Sequence, residues 1–184
     1  MRRGTLNREL VIKQALNIVS ENGIGQLTYN GIARSLGVQP QSLYRYVANI
    51  ADVKSGVIAV YVEKLTANLY KELLPYSGKE ALSHFANYFV SYNELGIPFT
   101  DMISGLVSYR TAPAVAAAVS KLRELVVKII ESITTDSTEV EANAQLLLNF
   151  VIGTLTLETV RSSVDRMKQP TFDANVDRIL ALIK

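Results

Sequence analysis

A chain of 184 residues with 48% hydrophobic and 20% charged side chains can bury a real core, which excludes wholesale disorder. It has no cysteine, which excludes disulfides, thiolate metal sites and cysteine nucleophiles, and fits a reducing cytoplasm. The formal net charge of +2 is unevenly spread, +4 on residues 1–56 against −2 on the rest, as a phosphate-facing headpiece requires and as chance scatter also allows.

The spacing of apolar residues predicts helices along nearly the whole chain. The basic stretch Met1-Arg2-Arg3-Gly4-Thr5 is followed by no apolar run of signal-peptide type. Instead Ile12, Ala15, Leu16 and Val19 repeat at helical spacing, and Asn22-Gly23 supplies a stop. Thr28 is a good N-cap for a short helix to about Leu36. Gly37 breaks that helix, and Pro40 suits the first turn of a third. Asn49 with Asp52 resembles a capping box for a fourth helix, which Pro75 and Gly78 end. Further helices are expected at about 79–94 and 99–110, and from Pro113 to about Ile133. Thr138 and Glu141 form a second capping-box pattern, opening a long helix to about Arg166. Its apolar run from Leu146 to Leu157 is interrupted by Asn149, Gly153, Thr154 and Thr156, which predicts a buried helix and no membrane span. Gln169-Pro170 breaks the chain before a last helix from Phe172 to Lys184. No segment alternates with a period of two, so the expected class is all-α with about nine helices.

The stretch from Tyr29 to Tyr46 reads as a helix-turn-helix. Ile32, Leu36, Val38, Leu43 and Tyr46 supply the small core between two crossing helices. Ala33 is small where the second helix passes, and Gly37 stands where the turn needs a left-handed backbone. The outward residues of the second helix are Gln39, Gln41, Ser42, Tyr44 and Arg45. Gln pairs with adenine, Arg with guanine, and Ser and Tyr hydroxyls reach phosphates, a set that a hairpin built only for packing has no reason to display.

Leu27-Thr28, Ile32-Ala33, Leu36-Gly37-Val38 and Ser42-Leu43-Tyr44-Arg45-Tyr46-Val47 resemble the tetracycline-repressor (TetR) family of bacterial regulators over the first 50 or so residues. The resemblance implies a DNA-binding domain at 1–50, with Gln39, Pro40, Gln41, Ser42, Tyr44, Arg45 and Tyr46 in the major groove of double-stranded DNA. It also places Thr28 and Tyr44 on phosphates. The family's Lys at the start of the fourth helix is here Ile50, with Ala48 also uncharged, and Lys54 one turn on is its candidate substitute. Residues 51–184 would form a regulatory and dimerisation domain.

Within that body, Phe150-Val-Ile-Gly-Thr-Leu-Thr-Leu-Glu158 is similar to a stretch in the penultimate helix of many members. Gly153 there marks either close approach of a second helix or a tolerated glycine. Phe150, Gly153 and Leu157, with Val176, Ile179 and Leu180 of the last helix, are the expected interface of a homodimer. A small hydrophobic or amphipathic effector would be lined by His84, Tyr88, Tyr92, Phe99, Met102 and Tyr109, residues that plain core packing explains better when each is taken singly. One histidine without cysteine or clustered carboxylates gives no metal site, and no cofactor motif is present. The expected function is a cytoplasmic repressor, not an enzyme, released from a palindromic operator by its effector, the alternative being control by a protein partner.

Overall fold

The computed structural model describes residues 6–160 and 169–183, with side chains described for 6–158 and 171–183. Nine α-helices and no strand occur among the described residues: α1 (Arg8–Asn22), α2 (Tyr29–Leu36), α3 (Pro40–Leu43), α4 (Ile50–Leu73), α5 (Gly78–Ser91), α6 (Phe99–Tyr109), α7 (Pro113–Glu131), α8 (Val140–Val160) and α9 (Gln169–Leu182). The all-α expectation holds. Short 3₁₀ turns at Ile24–Gln26 and Ser137–Glu139 were not anticipated.

Helix ends follow local chemistry. The Asn7 side chain caps α1 by accepting from the Leu10 N–H at 2.7 Å. Gly23, at φ +80°, ends α1, and its N–H donates to the Val19 carbonyl. Two expected caps differ in detail. At α4, Asn49 Oδ1 accepts from the Asp52 N–H as expected, but the Asp52 carboxylate reaches back one residue further, to the Ala48 N–H. Before α8 the capping residue is Asp136 rather than Thr138: its carboxylate accepts from both the N–H and the hydroxyl of Thr138. Glu141 is drawn instead into an ion pair with Arg123. Helix α9 starts at Gln169, three residues before the expected Phe172, with Pro170 in its first turn, where a missing N–H costs nothing. The expected continuation of α8 to Arg166 lies outside the described residues.

The helices form two compact units, residues 1–62 with 93–118 and residues 63–92 with 119–184. The first unit is built on α1, whose Val11, Ile12, Ala15, Leu16 and Val19 are buried together with Leu27, Ile32, Ala33, Leu43 and Val47. Leu36, Val38 and Tyr46, also expected in this small core, are half-buried at its edge. Helix α6 belongs to the same unit. Its Gly105 faces Ile58 so closely that any Cβ would displace that side chain, with Ile24 in ordinary contact beside it. Asp101 of α6 accepts from the Ile24 N–H at 2.9 Å, fixing the first 3₁₀ turn.

In the second unit, α5 contributes Ala81, Leu82, Phe85, Ala86 and Phe89 to the core, and it packs against both α8 and α9. Helix α9 turns Phe172, Val176 and Leu180 inward, and α8 turns Ala144, Leu147 and Val151. Helix α8 is not the buried helix its composition predicts. By length and composition Ser137–Glu158 could cross a membrane, with a mean hydropathy of 1.2, yet only 22% of that apolar window is buried. Its other side leaves Leu146, Ile152 and Leu157 exposed.

Candidate nucleic-acid interface

The geometry of α2 and α3 follows from their caps and their turn. Thr28 is extended, and its Oγ1 accepts from the Gly31 N–H at 3.1 Å. That bond uses the oxygen as acceptor and leaves the exposed hydroxyl able to donate. Gly37 is left-handed, φ +67° and ψ 32°, and the N–H groups of Gly37 and Val38 close the end of α2 onto the Arg34 and Ala33 carbonyls. The chain then reverses within three residues, since Gln39 is extended and Pro40 opens α3. A Cβ at Gly37 would meet no neighbour, so its requirement is backbone conformation and not space.

One buried residue anchors α3: Leu43 is 0% exposed. Around it α3 and the residues that flank it, Gln39 ahead and the turn Tyr44–Tyr46 behind, expose Gln39, Gln41, Tyr44 and Arg45 to solvent, with Pro40, Ser42 and Tyr46 half-buried. Tyr44 is 63% exposed yet held in place, its ring stacked on Tyr29 of α2 at 4.9 Å between centroids. Tyr29 in turn donates its hydroxyl to the Val47 carbonyl at 2.8 Å. Burial, with Tyr44 and Asp52 nearby, raises the Tyr29 phenol above its ordinary range, so it stays a donor. Val38, Gln41, Ser42, Arg45 and Tyr46 line a surface groove of about 420 Å³, closed at one side by Leu6 ahead of α1.

The structure adds an ion pair that sequence patterns did not single out. Arg8 of α1 makes a two-pronged ion pair with Asp52 of α4, at 2.8 and 2.6 Å. Since Asp52 also holds the Ala48 N–H, the pair ties the start of α1 to the segment joining α3 and α4. The Asn49-x-x-Asp52 pattern hinted at the carboxylate; nothing local pointed to Arg8, forty-four residues away. Lys54, proposed as a phosphate contact, lies half-buried on the first turns of α4.

The Arg8 guanidinium, helped by the Ala48 N–H, holds the Asp52 carboxyl below its ordinary value against an opposing cost of burial. A carboxyl depressed in the folded chain stabilises it above the unfolded value of about 3.9, and that contribution disappears as pH falls through the lower folded value. Thermal melts of Asp52→Asn should therefore lie below wild type at pH 7. The gap should close as pH drops below about 4. A gap that stayed constant into acid would assign the loss to something other than this ion pair.

The remaining expected residues are divided between the two units. His84, Tyr88 and Tyr92 belong to the second unit, whereas Phe99, Met102 and Tyr109 belong to the first. Within the second unit His84 stacks on Tyr76 at 3.5 Å, and Tyr88 leans on Tyr92 at 6.0 Å. Met102 is 1% exposed in the core of the first. Of the expected interface residues, Val176 and Leu180 are 0% and 5% exposed, because α9 turns that stripe onto its own chain. Leu157 is 51% exposed, while Phe150, partly exposed, stacks on Phe172 at 5.5 Å. Ile179 is half-buried. A Cβ on Gly153 would meet open space, so no other helix among the described residues approaches it. No group of three metal-ligating side chains occurs among the described residues.

No family model matches the chain. Over 96 residues, 52% of this chain, it is 30% identical to the class D tetracycline repressor protein of Escherichia coli, and it spans 42% of that relative's length. Two solved structures share the fold over nearly the whole chain. A transcriptional regulator from Rhodococcus sp. Rha1 is 18% identical with a TM-score of 0.71, covering 97% of this chain and 96% of that one. The FadR regulator of Bacillus subtilis, in complex with stearoyl-CoA, is 16% identical with a TM-score of 0.65, covering 95% and 96%.

Proposed function

We infer that this chain belongs to the tetracycline-repressor family of transcriptional regulators, which the 30% identity to a class D tetracycline repressor supports, and that it acts as a cytoplasmic homodimeric repressor that binds a palindromic DNA operator. The observation that carries the reading is α3: Leu43 is fully buried, while the helix and the residues that flank it expose Gln39, Gln41, Tyr44 and Arg45. Amide and guanidinium groups are suited to base edges, and the hydroxyls of Thr28, Ser42 and Tyr44 to phosphates. The division by role follows, with residues 1–50 reading DNA and 51–184 carrying dimerisation and control.

Dimerisation is supported by the uncovered side of α8. Leu146, Ile152 and Leu157 are 37%, 37% and 51% exposed, and the open space over Gly153 admits a helix from a second copy. Two-fold symmetry would then set two α3 helices against half-sites about 34–36 Å apart. Release by a small amphipathic effector is the regulatory part of the reading, since a structural neighbour is known in complex with stearoyl-CoA. An effector that binds the non-spanning arrangement more tightly than the DNA-bound one draws the population away from operator.

Selection of bound duplexes from a random library tests the whole reading. The expected product is an inverted repeat with half-site centres one helical turn apart. Recovery of unrelated sequences, or of single unrepeated sites, would reject the dimeric operator.

A further inference from the structure

Side chains from three different helices converge on the segment that follows α3. Tyr46, Val47 and Ala48 are successive residues, and a backbone group of each is held from outside the segment. Arg8 of α1 donates to the Tyr46 carbonyl at 3.4 Å, the longest of the three bonds. Tyr29 of α2 donates to the Val47 carbonyl at 2.8 Å, and the Asp52 carboxylate of α4 accepts from the Ala48 N–H at 2.8 Å. Arg8 and Asp52 are themselves joined, so two of these grips act as one. The Tyr29 ring also stacks on Tyr44 at 4.9 Å, so one side chain holds both ends of the turn from Tyr44 to Val47.

Helix α3 depends on such support. Pro40–Leu43 is four residues, about one turn, and a single turn of helix is not stable by itself. Leu43, its one fully buried residue, fixes where the turn sits but not how it is rotated. Arg45 lies two residues further on, exposed and outside the helix proper. A guanidinium that gives two bonds to one guanine needs both aligned, and hydrogen bonds weaken steeply as their angle worsens. We propose that Arg8, Tyr29 and Asp52 are positioning residues for operator recognition, gripping the backbone at 46–48 so that Tyr44 and Arg45 meet the DNA at one angle. This role presupposes the DNA-binding reading above and deepens it, assigning part of the sequence discrimination to side chains that touch no base. The Arg8–Asp52 pair is formally neutral and adds little to the attraction for phosphates that every sequence shares, so its effect falls on discrimination.

The test compares the full chain with R8K and Y29F, neither of which changes the charge. Each is measured on the operator recovered by selection and on an unrelated duplex of equal length, well below the melting temperature. R8K removes the planar fork that reaches both Asp52 and Tyr46. Y29F removes the hydroxyl and leaves the ring to stack. Each should weaken operator binding about 2- to 12-fold, the worth of one hydrogen bond, and leave the unrelated duplex unchanged. In an Arg45→Ala background both substitutions should cost less than in the wild type, because they act through a side chain that is gone. A lower melting temperature with the wild-type ratio between the two duplexes would mean a role in stability alone and would overturn the positioning role. So would an undiminished loss in the Arg45→Ala background, or an equal loss on both duplexes, which would make Arg8 a phosphate contact. If Arg45→Ala lost operator binding while R8K and Y29F discriminated as the wild type does, the positioning role would fail and the DNA reading would stand. If the wild type selected no duplex, both would fail.

Discussion

Leu157→Arg should yield a folded monomer that no longer holds a two-half-site operator. Leu157 is 51% exposed on α8, on the side where Leu146 and Ile152 are also uncovered and where Gly153 faces open space. In the isolated chain an Arg at such a position costs little, within about 0.5 kcal/mol, because its stem lies over the surface and its head stays in water. In a two-fold dimer the same substitution puts unpaired charge into a desolvated contact, twice over. Burying an uncompensated charge costs about 3–5 kcal/mol, which raises the dimer dissociation constant by about 100- to 1,000-fold or more. Sedimentation at low micromolar concentration should show monomer where the wild type shows dimer, with unchanged helicity. Operator affinity should fall in step, since one headpiece then binds one half-site without its tethered partner. A variant that sedimented as the wild type does would remove the α8 face from the interface.

The same face shows where sequence patterns stop being informative. Helix α8 is apolar around much of its circumference, and composition alone reports that as burial. The inner stripe of Ala144, Leu147 and Val151 and the outer residues Leu146, Ile152 and Leu157 are chemically alike. Only the positions of α5 and α9 decide which are covered by their own chain. Helix α9 repeats the ambiguity: Val176 and Leu180 turn inward while Ile179, one residue away from Leu180, is only half-buried. A helical period tells which residues share a stripe, not which neighbour the stripe meets.

The headpiece was far more legible because its determinants are local. Thr28 capping α2, Gly37 left-handed at its end and Pro40 opening α3 each act within four residues, and all three stand where the sequence puts them. Arg8 with Asp52 and Ile24 with Asp101 span 44 and 77 residues, and no short pattern encodes either. The aromatic residues expected around an effector were chosen by type alone. Ring type does not say which unit a helix joins, and the six fall into different ones.

The reading surface itself makes the second large prediction, because two of its exposed members should fail differently. Arg45 is exposed beside the groove lined by Gln41 and Ser42, where a guanidinium can donate two bonds to one guanine. Deleting a two-pronged base interaction costs about 1–3 kcal/mol, so Arg45→Ala should weaken operator binding about 5- to 150-fold. The loss should be concentrated at one base position per half-site and nearly absent on unrelated DNA. Tyr44, read here as a phosphate contact, has its ring stacked on Tyr29 at 4.9 Å. Tyr44→Ala removes both, and the stack orders the hydroxyl, so binding should fall by a smaller factor that is similar on every sequence. Tyr44→Phe keeps the ring and should recover the part due to the stack, worth about 0.5–1.5 kcal/mol. Neither substitution touches Leu43, so the fold and dimer content should hold, with Tyr44→Ala lowering the melting temperature only by what the lost stack contributes. If both alanine variants bound the selected operator as tightly as wild type at about 0.1 M salt, α3 would not be the helix that reads DNA. A uniform loss for Arg45→Ala across all sequences would move that side chain from base to phosphate.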